Sequence, residues 1–188
     1  MPASEVRCDW VDLTKQDYVS YHDEEWGVPI LDENQLFEAL CLEGAQAGLS
    51  WYTILKKRNH YRKVFSSFDV SKIVTYSEEY IKALVSDAGI VRHEGKIRSV
   101  VNNARVCVGC ADQFGSFKEF ISITWRKSQG EDRYSQFSKE LKLVGFTFVG
   151  PTIMESFAQA IGLVNAHSLT CFRHSVIAQL KSGTKKPT

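Results

Sequence analysis

The sequence predicts an all-α fold. Three observations carry this: apolar residues recur at helical period through most of the chain, capping residues stand where those runs begin, and no run shows convincing strand alternation. The first clear element is "DENQLFEALCLEGAQAG". Asp32 and Gln35 open it in capping-box spacing, and Leu36, Phe37, Leu40 and Cys41 form its apolar stripe. "WYTILKKRNHYRKVF" resumes the helical period after the turn Gly48-Leu49-Ser50. In "SEEYIKALVSDAG", Ser77 reads as the N-cap and Gly89 as the stop. "RHEGKIRSVVNNARVCVGCADQF" reads as a longer helix and "SFKEFISITWR" as a short one, followed by a loop of glycine, serine and charged residues at 126–132. "YSQFSKELKLVG" and "GPTIMESFAQAIG" are two helices joined by a glycine-bounded turn. "GFTFVG" between them alternates weakly, but six residues between helices fit a hairpin better than a strand. The tail 181–188, "KSGTKKPT", is expected to be disordered. No repeat or linker interrupts the chain, so residues 1–188 are expected to form a single unit of two intimate helical subdomains.

Bulk properties narrow the setting. A length of 188 residues suffices for a sizeable core. No segment approaches the roughly 18 continuous apolar residues of a membrane span, and "MPASEVRCDW" has neither a signal-peptide core nor transit character. A soluble, intracellular protein without membrane association is expected. A net charge of +1 argues against a strongly basic nucleic-acid scaffold, although phosphate affinity depends on a local patch. The five cysteines are an odd number without a secretory signal, which disfavours a disulfide framework and leaves thiols for packing or metal.

Candidate chemistry sits in four places. In "HSLTC", His167 and Cys171 stand at i and i+4, one face of a helix if the segment is helical. Cys8 and His22, near the other end of the chain, complete a two-Cys, two-His set of the kind a structural zinc requires. Against this, each residue taken singly fits an ordinary core position. "CVGC", with Cys107 and Cys110, has knuckle-like spacing, but there is no second pair to complete a ribbon and no βαβ setting for a redox motif, so both read as plain helix positions. The segment that holds Cys8 and His22 also carries Trp10, Tyr18, Tyr21 and Trp26, interleaved with acidic residues. Such side chains suit a pocket for a planar ring, the alternative being an aromatic core. Glu43 lies beside the apolar stripe and before Gly44, where burial would mark it as functional, the alternative being an ordinary solvated glutamate, and Trp51 follows a turn as a second candidate ring platform. Finally, "ELKLVGFTFVGPTIMESFAQAIG" is compatible with a helix-hairpin-helix that offers backbone N–H groups to a DNA phosphate, with Pro151 suited to the first turn of its second helix. An ordinary helical hairpin is the alternative.

"RCDW…YHDEEWGVP", "LFEALCLEGAQAGLSWYTILKKR", "DAGIVRHEGKI", "GFTFVGPT" and "GLVNAHSLTC" occur in an order that resembles the 3-methyladenine DNA glycosylase I family, from about Arg7 to Cys171. The resemblance implies a helix-hairpin-helix-superfamily DNA glycosylase. It implies a structural Zn²⁺, one per chain, held by Cys8, His22, His167 and Cys171 and joining the N- and C-terminal segments. It implies base contacts from Glu43, Tyr21 and Trp51, with Trp10, Tyr18 and Trp26 as pocket walls and Glu43 as the one carboxylate at the base. Gln46, Gly48 and Leu49 match the segment that fills the gap left by a flipped nucleotide, and the hairpin residues Gly145, Gly150 and Thr152 would meet the DNA backbone. The expected partners are double-stranded DNA with alkylated bases and 3-methyladenine itself, bound by a monomer. "IGLVNAHSLTC" lacks the Asp that many members of the superfamily carry after the hairpin, and "GFTFVGPTIM" lacks the Lys that lyase-type members use. A monofunctional glycosylase is therefore expected. The alternative is a zinc-stapled damage-binding module without catalysis, against which Glu43 and Trp51 argue.

Overall fold

Asp32, Ser50 and Ser77 each stop the chain's extended course and start a helix, as expected for Asp32 and Ser77. Asp32 Oδ1 accepts from Gln35 N at 2.9 Å, Ser50 Oγ from Thr53 N at 3.3 Å, and Ser77 Oγ from Tyr80 N at 3.2 Å. Each such cap contributes about 1 kcal/mol. The computed structural model describes residues 5–183, and no strand occurs among them. In chain order they form α1 (Gln16–Ser20), a π-helical turn (Tyr21–Glu25), α2 (Glu33–Gln46), α3 (Trp51–Val64), a 3₁₀ turn (Ser66–Phe68), α4 (Val70–Ile73), α5 (Glu78–Val85), α6 (Glu94–Phe114), α7 (Phe117–Lys127), α8 (Arg133–Leu143), α9 (Pro151–Ala160) and α10 (Phe172–Gly183). None of the described helices is long and apolar enough to cross a membrane.

Two compact units divide the chain: Leu31–Phe157, and the two chain ends up to Ile30 and from Ala158. In the larger unit α6 is the central element, with α2, α4, α5 and α7 packed on it. Its buried positions Ile97, Val100, Val101, Ala104, Cys107 and Cys110 follow the helical period. Cys107 and Cys110 are thus core residues of one helix, as expected from their sequence setting, and burial raises both thiols. α5 ends at Val85, short of the expected stop at Gly89. Gly89 instead serves a tertiary contact. Its N–H donates to Asp87 Oδ1 at 2.7 Å, Asp87 Oδ2 meets His60 Nε2 at 2.7 Å, and any side chain at 89 would collide with the His60 ring.

The smaller unit is built around Cys8, Val11, Val19 and Cys171, with Trp26 and Phe172 packed against them. Gly27 N donates to Ala160 O at 3.1 Å, and a Cβ on Gly162 would lie 2.6 Å from Gly27 O. Only glycine lets the stretch after α9 pass so near the stretch after the π turn, and Gly162 also adopts φ +76°. The structure corrects one expectation here. His167 and Cys171 do not lie on a helix: the chain runs through turns from Gly162, and α10 begins only at Phe172. α10 extends to Gly183, into the segment expected to be disordered; the expectation for 184–188 lies outside the described residues.

Candidate functional site

Cys8, His22, His167 and Cys171 converge in the smaller unit. All four are buried, and their ligand atoms lie within 4.8 Å of one another. Cys8 Sγ and Cys171 Sγ are 3.6 and 3.5 Å from His167 Nδ1, and Cys171 Sγ is 3.5 Å from His22 Nε2. A tetrahedral zinc with bonds of about 2.3 Å to sulfur and about 2.0 Å to nitrogen has S···N edges of about 3.5 Å. The donor set and its spacing therefore fit a closed tetrahedral ion.

The surroundings set the tautomers this requires. Asp23 Oδ1 accepts from His22 Nδ1 at 2.7 Å, which leaves the Nε2 lone pair facing Cys171. Arg7 in turn grips Asp23 with its Nε at 2.9 Å from Oδ1 and an η nitrogen at 2.7 Å from Oδ2. The Trp26 carbonyl accepts from His167 Nε2 at 3.1 Å, so its Nδ1 lone pair faces both sulfurs. Ser168 N–H points at Cys8 Sγ at 3.4 Å, a donor suited to a thiolate. Burial lowers both imidazole pKa values, that of His167 to about 4, and so keeps the rings neutral, the form that binds metal. The turn before α10 closes with Cys171 N donating to Ser168 O at 2.9 Å and brings the Cys171 sulfur to 3.5 Å from His167 Nδ1.

The aromatic residues of the same unit form one cluster against these ligands. Trp10 lies 5.2 Å from Tyr18, 4.9 Å from Trp26 and 5.2 Å from the His22 ring, and Trp26 lies 4.6 Å from His167. Tyr21 is buried where α1 passes into the π turn, whose Trp26 N→Tyr21 O bond of 2.9 Å spans five residues. Trp10, Tyr18, Tyr21 and Trp26 therefore stand on the segment that also carries Cys8 and His22, and Trp10 keeps 37% of its surface exposed.

In the larger unit Glu43 is buried on α2 at 4% exposure. Burial lifts its carboxyl pKa from 4.5 to about 8, so the free protein holds it as the neutral acid at pH 7. Gly44 beside it lets Phe148 approach, as a Cβ there would lie 3.2 Å from the Phe148 Cβ and carbonyl oxygen. The helix ends in a tight turn in which Leu49 N donates to Gln46 O at 2.6 Å and Gly48 takes φ +77°. Gly48 and Leu49 are exposed, Gln46 is half-buried, and Trp51, half-buried, opens α3.

The α8–α9 connection is a hydrogen-bonded loop, clamped from outside by residues that no sequence motif singles out. Asn103 accepts from Thr147 N at 2.9 Å and donates to Thr147 O at 3.0 Å, Asn102 donates to Gly145 O at 2.9 Å, and Ser138 Oγ donates to Val149 O at 2.6 Å. The only hint in the sequence is a pair of asparagines inside a helix, where they are poor formers. Gly145 has φ +105°, which favours glycine, whereas Gly150 has no positive φ and open space at its Cβ. Of the two glycines that bound this loop, only Gly145 relieves backbone strain. Gly150 immediately precedes Pro151 at the start of α9, and Thr152 is exposed there.

A family model described as methyladenine glycosylase matches residues 10–174. The chain belongs to that family. DNA-3-methyladenine glycosylase 1 of Escherichia coli is 46% identical over 180 residues, which cover 88% of this chain and 95% of the relative. A crystal structure of 3-methyladenine DNA glycosylase I superposes with a TM-score of 0.82 at 43% identity, over 89% of this chain and 98% of that one. The Staphylococcus aureus enzyme, whose structure is described as the basis of its 3-methyladenine recognition, gives 0.81 at 34% identity, over 88% and 95%. As a methyladenine glycosylase, the chain has two features that the motifs alone did not reveal: the Arg7–Asp23 support behind His22, and the asparagine clamp on the α8–α9 loop. The adjacent pair His22-Asp23 was the available signal for the first.

Proposed function

We propose that this protein is a DNA-3-methyladenine glycosylase, which takes 3-methyladenine out of alkylated DNA and hydrolyses its N-glycosidic bond. Kinship with enzymes of that name, over nearly their whole length, is the observation that carries this reading. Cys8, His22, His167 and Cys171 would hold a zinc ion. Held by four protein ligands, the ion would have no open position and would serve as a staple between the chain ends. The chemistry of base removal falls to other residues.

The target nucleotide must leave the stack before its glycosidic bond can be reached. In this reading α8, its loop and α9 act as a helix-hairpin-helix that meets the DNA backbone at Gly145, Gly150 and Thr152. Gln46, Gly48 and Leu49 enter the space vacated by the flipped nucleotide. Trp51 offers its indole to the base. An indole face attracts a cationic ring over a neutral one. Glu43 faces the polar edge of that ring and ionises against its charge, becoming a charge-assisted acceptor that neutral adenine cannot recruit. The cationic base is already a good leaving group, so bond cleavage sends the electron pair to the base, and water adds at C1′. No lysine in "GFTFVGPTIM" is available for a Schiff base, in keeping with a monofunctional enzyme. The protein is expected to act as a monomer.

Release of free 3-methyladenine from methylated duplex DNA tests the proposal. Retention of the base, with tight binding to damaged duplex, would point to a binding module without catalysis.

A further inference from the structure

Lys96 is the one lysine among the buried polar side chains of the described residues, at 8% exposure. It sits in the first turn of α6, where the helix dipole disfavours a cation, and burial lowers its pKa. Both placements cost stability. Its Nζ donates to Ala45 O at 2.9 Å and to Ala47 O at 2.6 Å, two carbonyls at the C-terminal end of α2. Those carbonyls are among the acceptors a helix end leaves without intrahelical partners, and an ammonium there also meets the negative pole of the dipole. The backbone of Lys96 is fixed as well, since its N–H donates to His93 Nδ1, the cap of α6, at 3.2 Å.

The two anchored carbonyls bracket Gln46 and directly precede Gly48 and Leu49. Nothing lies within 4 Å of a Cβ built on Gly48, and Leu49 is 41% exposed, so side-chain packing does little to hold the tip of this turn. Its anchors are Leu49 N→Gln46 O, Ala47 N→Gly44 O at 3.4 Å, and the Lys96 ammonium. We propose that Lys96 is a positioning residue for base removal from duplex DNA: its ammonium clamps the end of α2 so that the turn Gln46–Leu49 projects in the shape that replaces the flipped nucleotide. This rests on the glycosylase reading above. Lys96 itself touches neither the base nor the DNA in this account.

The test is Lys96→Met in the metal-loaded protein, which keeps the aliphatic stem and removes the ammonium. Misplacing a positioning element by about 1 Å costs up to about 100-fold in rate, so single-turnover excision from duplex DNA should fall about 10- to 100-fold. A single strand leaves no gap to fill, so excision from it should fall far less, and affinity for free 3-methyladenine should hold. Lys96→Arg, which retains a cationic donor, should recover most of the duplex rate. Equal losses on duplex, single strand and free base would make the role merely structural and overturn the proposal, as would no loss at all. If Lys96→Met does not fold, Lys96→Gln reads the same contrast. Amide exchange at Gly48, Leu49 and Ser50 tests the clamp independently of activity. It should speed up in the variant, and unchanged exchange overturns the clamp, whereas a wild-type protein that releases no base overturns the glycosylase reading instead.

Discussion

Replacing Glu43 by glutamine should stabilise the protein, and by more as pH rises. Burial raises the folded-state pKa of Glu43 from 4.5 to about 8. The folded protein therefore keeps a proton that the unfolded chain gives up above pH 4.5. Stability from this group is complete below the unfolded value and declines as pH rises toward the folded value, by about 1.4 kcal/mol for each pH unit. By pH 7 the loss is about 3 kcal/mol, and above about pH 8 it levels off. Glu43→Gln keeps the shape and has nothing to ionise. Urea unfolding of both metal-loaded proteins from pH 5 to pH 8.5 measures the difference, which should widen in favour of the variant by roughly 3 kcal/mol or more. Binding should move the other way. A cationic N3-methylated base favours the ionised carboxylate, so wild-type affinity should climb by up to about tenfold per pH unit until pH 8 and stay flat in the variant. A stability difference that does not change with pH would mean that Glu43 is already ionised in the free protein, and the argument would fail.

Three further outcomes are expected. Cys8→Ala should lose bound zinc by elemental analysis and more than about 4 kcal/mol of stability together, because the binding energy of a structural metal is folding energy; metal retained through Cys107 and Cys110 would refute the assignment. Gly150→Asp should weaken binding to damaged and undamaged DNA alike through anion repulsion, while its melting temperature holds or rises, since the site has room and Asp is a good helix N-cap; a fall in free-base affinity of the same size would make the loop purely structural. Trp51→Leu, which keeps apolar bulk without the π face, should cost about 0.5–2 kcal/mol more with cationic than with neutral N3-substituted adenines, and equal losses would show that the pocket reads shape.

Much of the fold was legible because helices announce themselves locally. Asp32 and Ser77 cap where their spacing to the next apolar run says they should. Gly89 misled because its requirement is tertiary: the His60 ring, far away in sequence, occupies the space a side chain would need. The two Cys and two His of the buried cluster were legible as residue types, but helical spacing is not the physical reason they meet. His167 and Cys171 converge through a turn, and the helix begins only afterwards. The loop clamps from Asn102, Asn103 and Ser138 were illegible because a side chain that satisfies a distant backbone group leaves no periodic trace.

The protonation of Glu43 changes how the site would discriminate. Read from sequence, Glu43 is a carboxylate waiting for a cation. Buried as it is, it is an acid at pH 7 and, in the proposed reading, would gain its charge only when a positive ring makes ionisation favourable. Forming the carboxylate at pH 7 then costs only about 1.4 kcal/mol, little beside the terms a buried ion pair brings into play. Neutral adenine supplies no such compensation and meets an uncharged acid. One methyl group in an apolar pocket yields about 1–3 kcal/mol of discrimination. A carboxyl group that ionises only for the cation adds a charge-dependent contribution to that, without leaving an unpaired buried charge in the empty protein during its search along undamaged DNA.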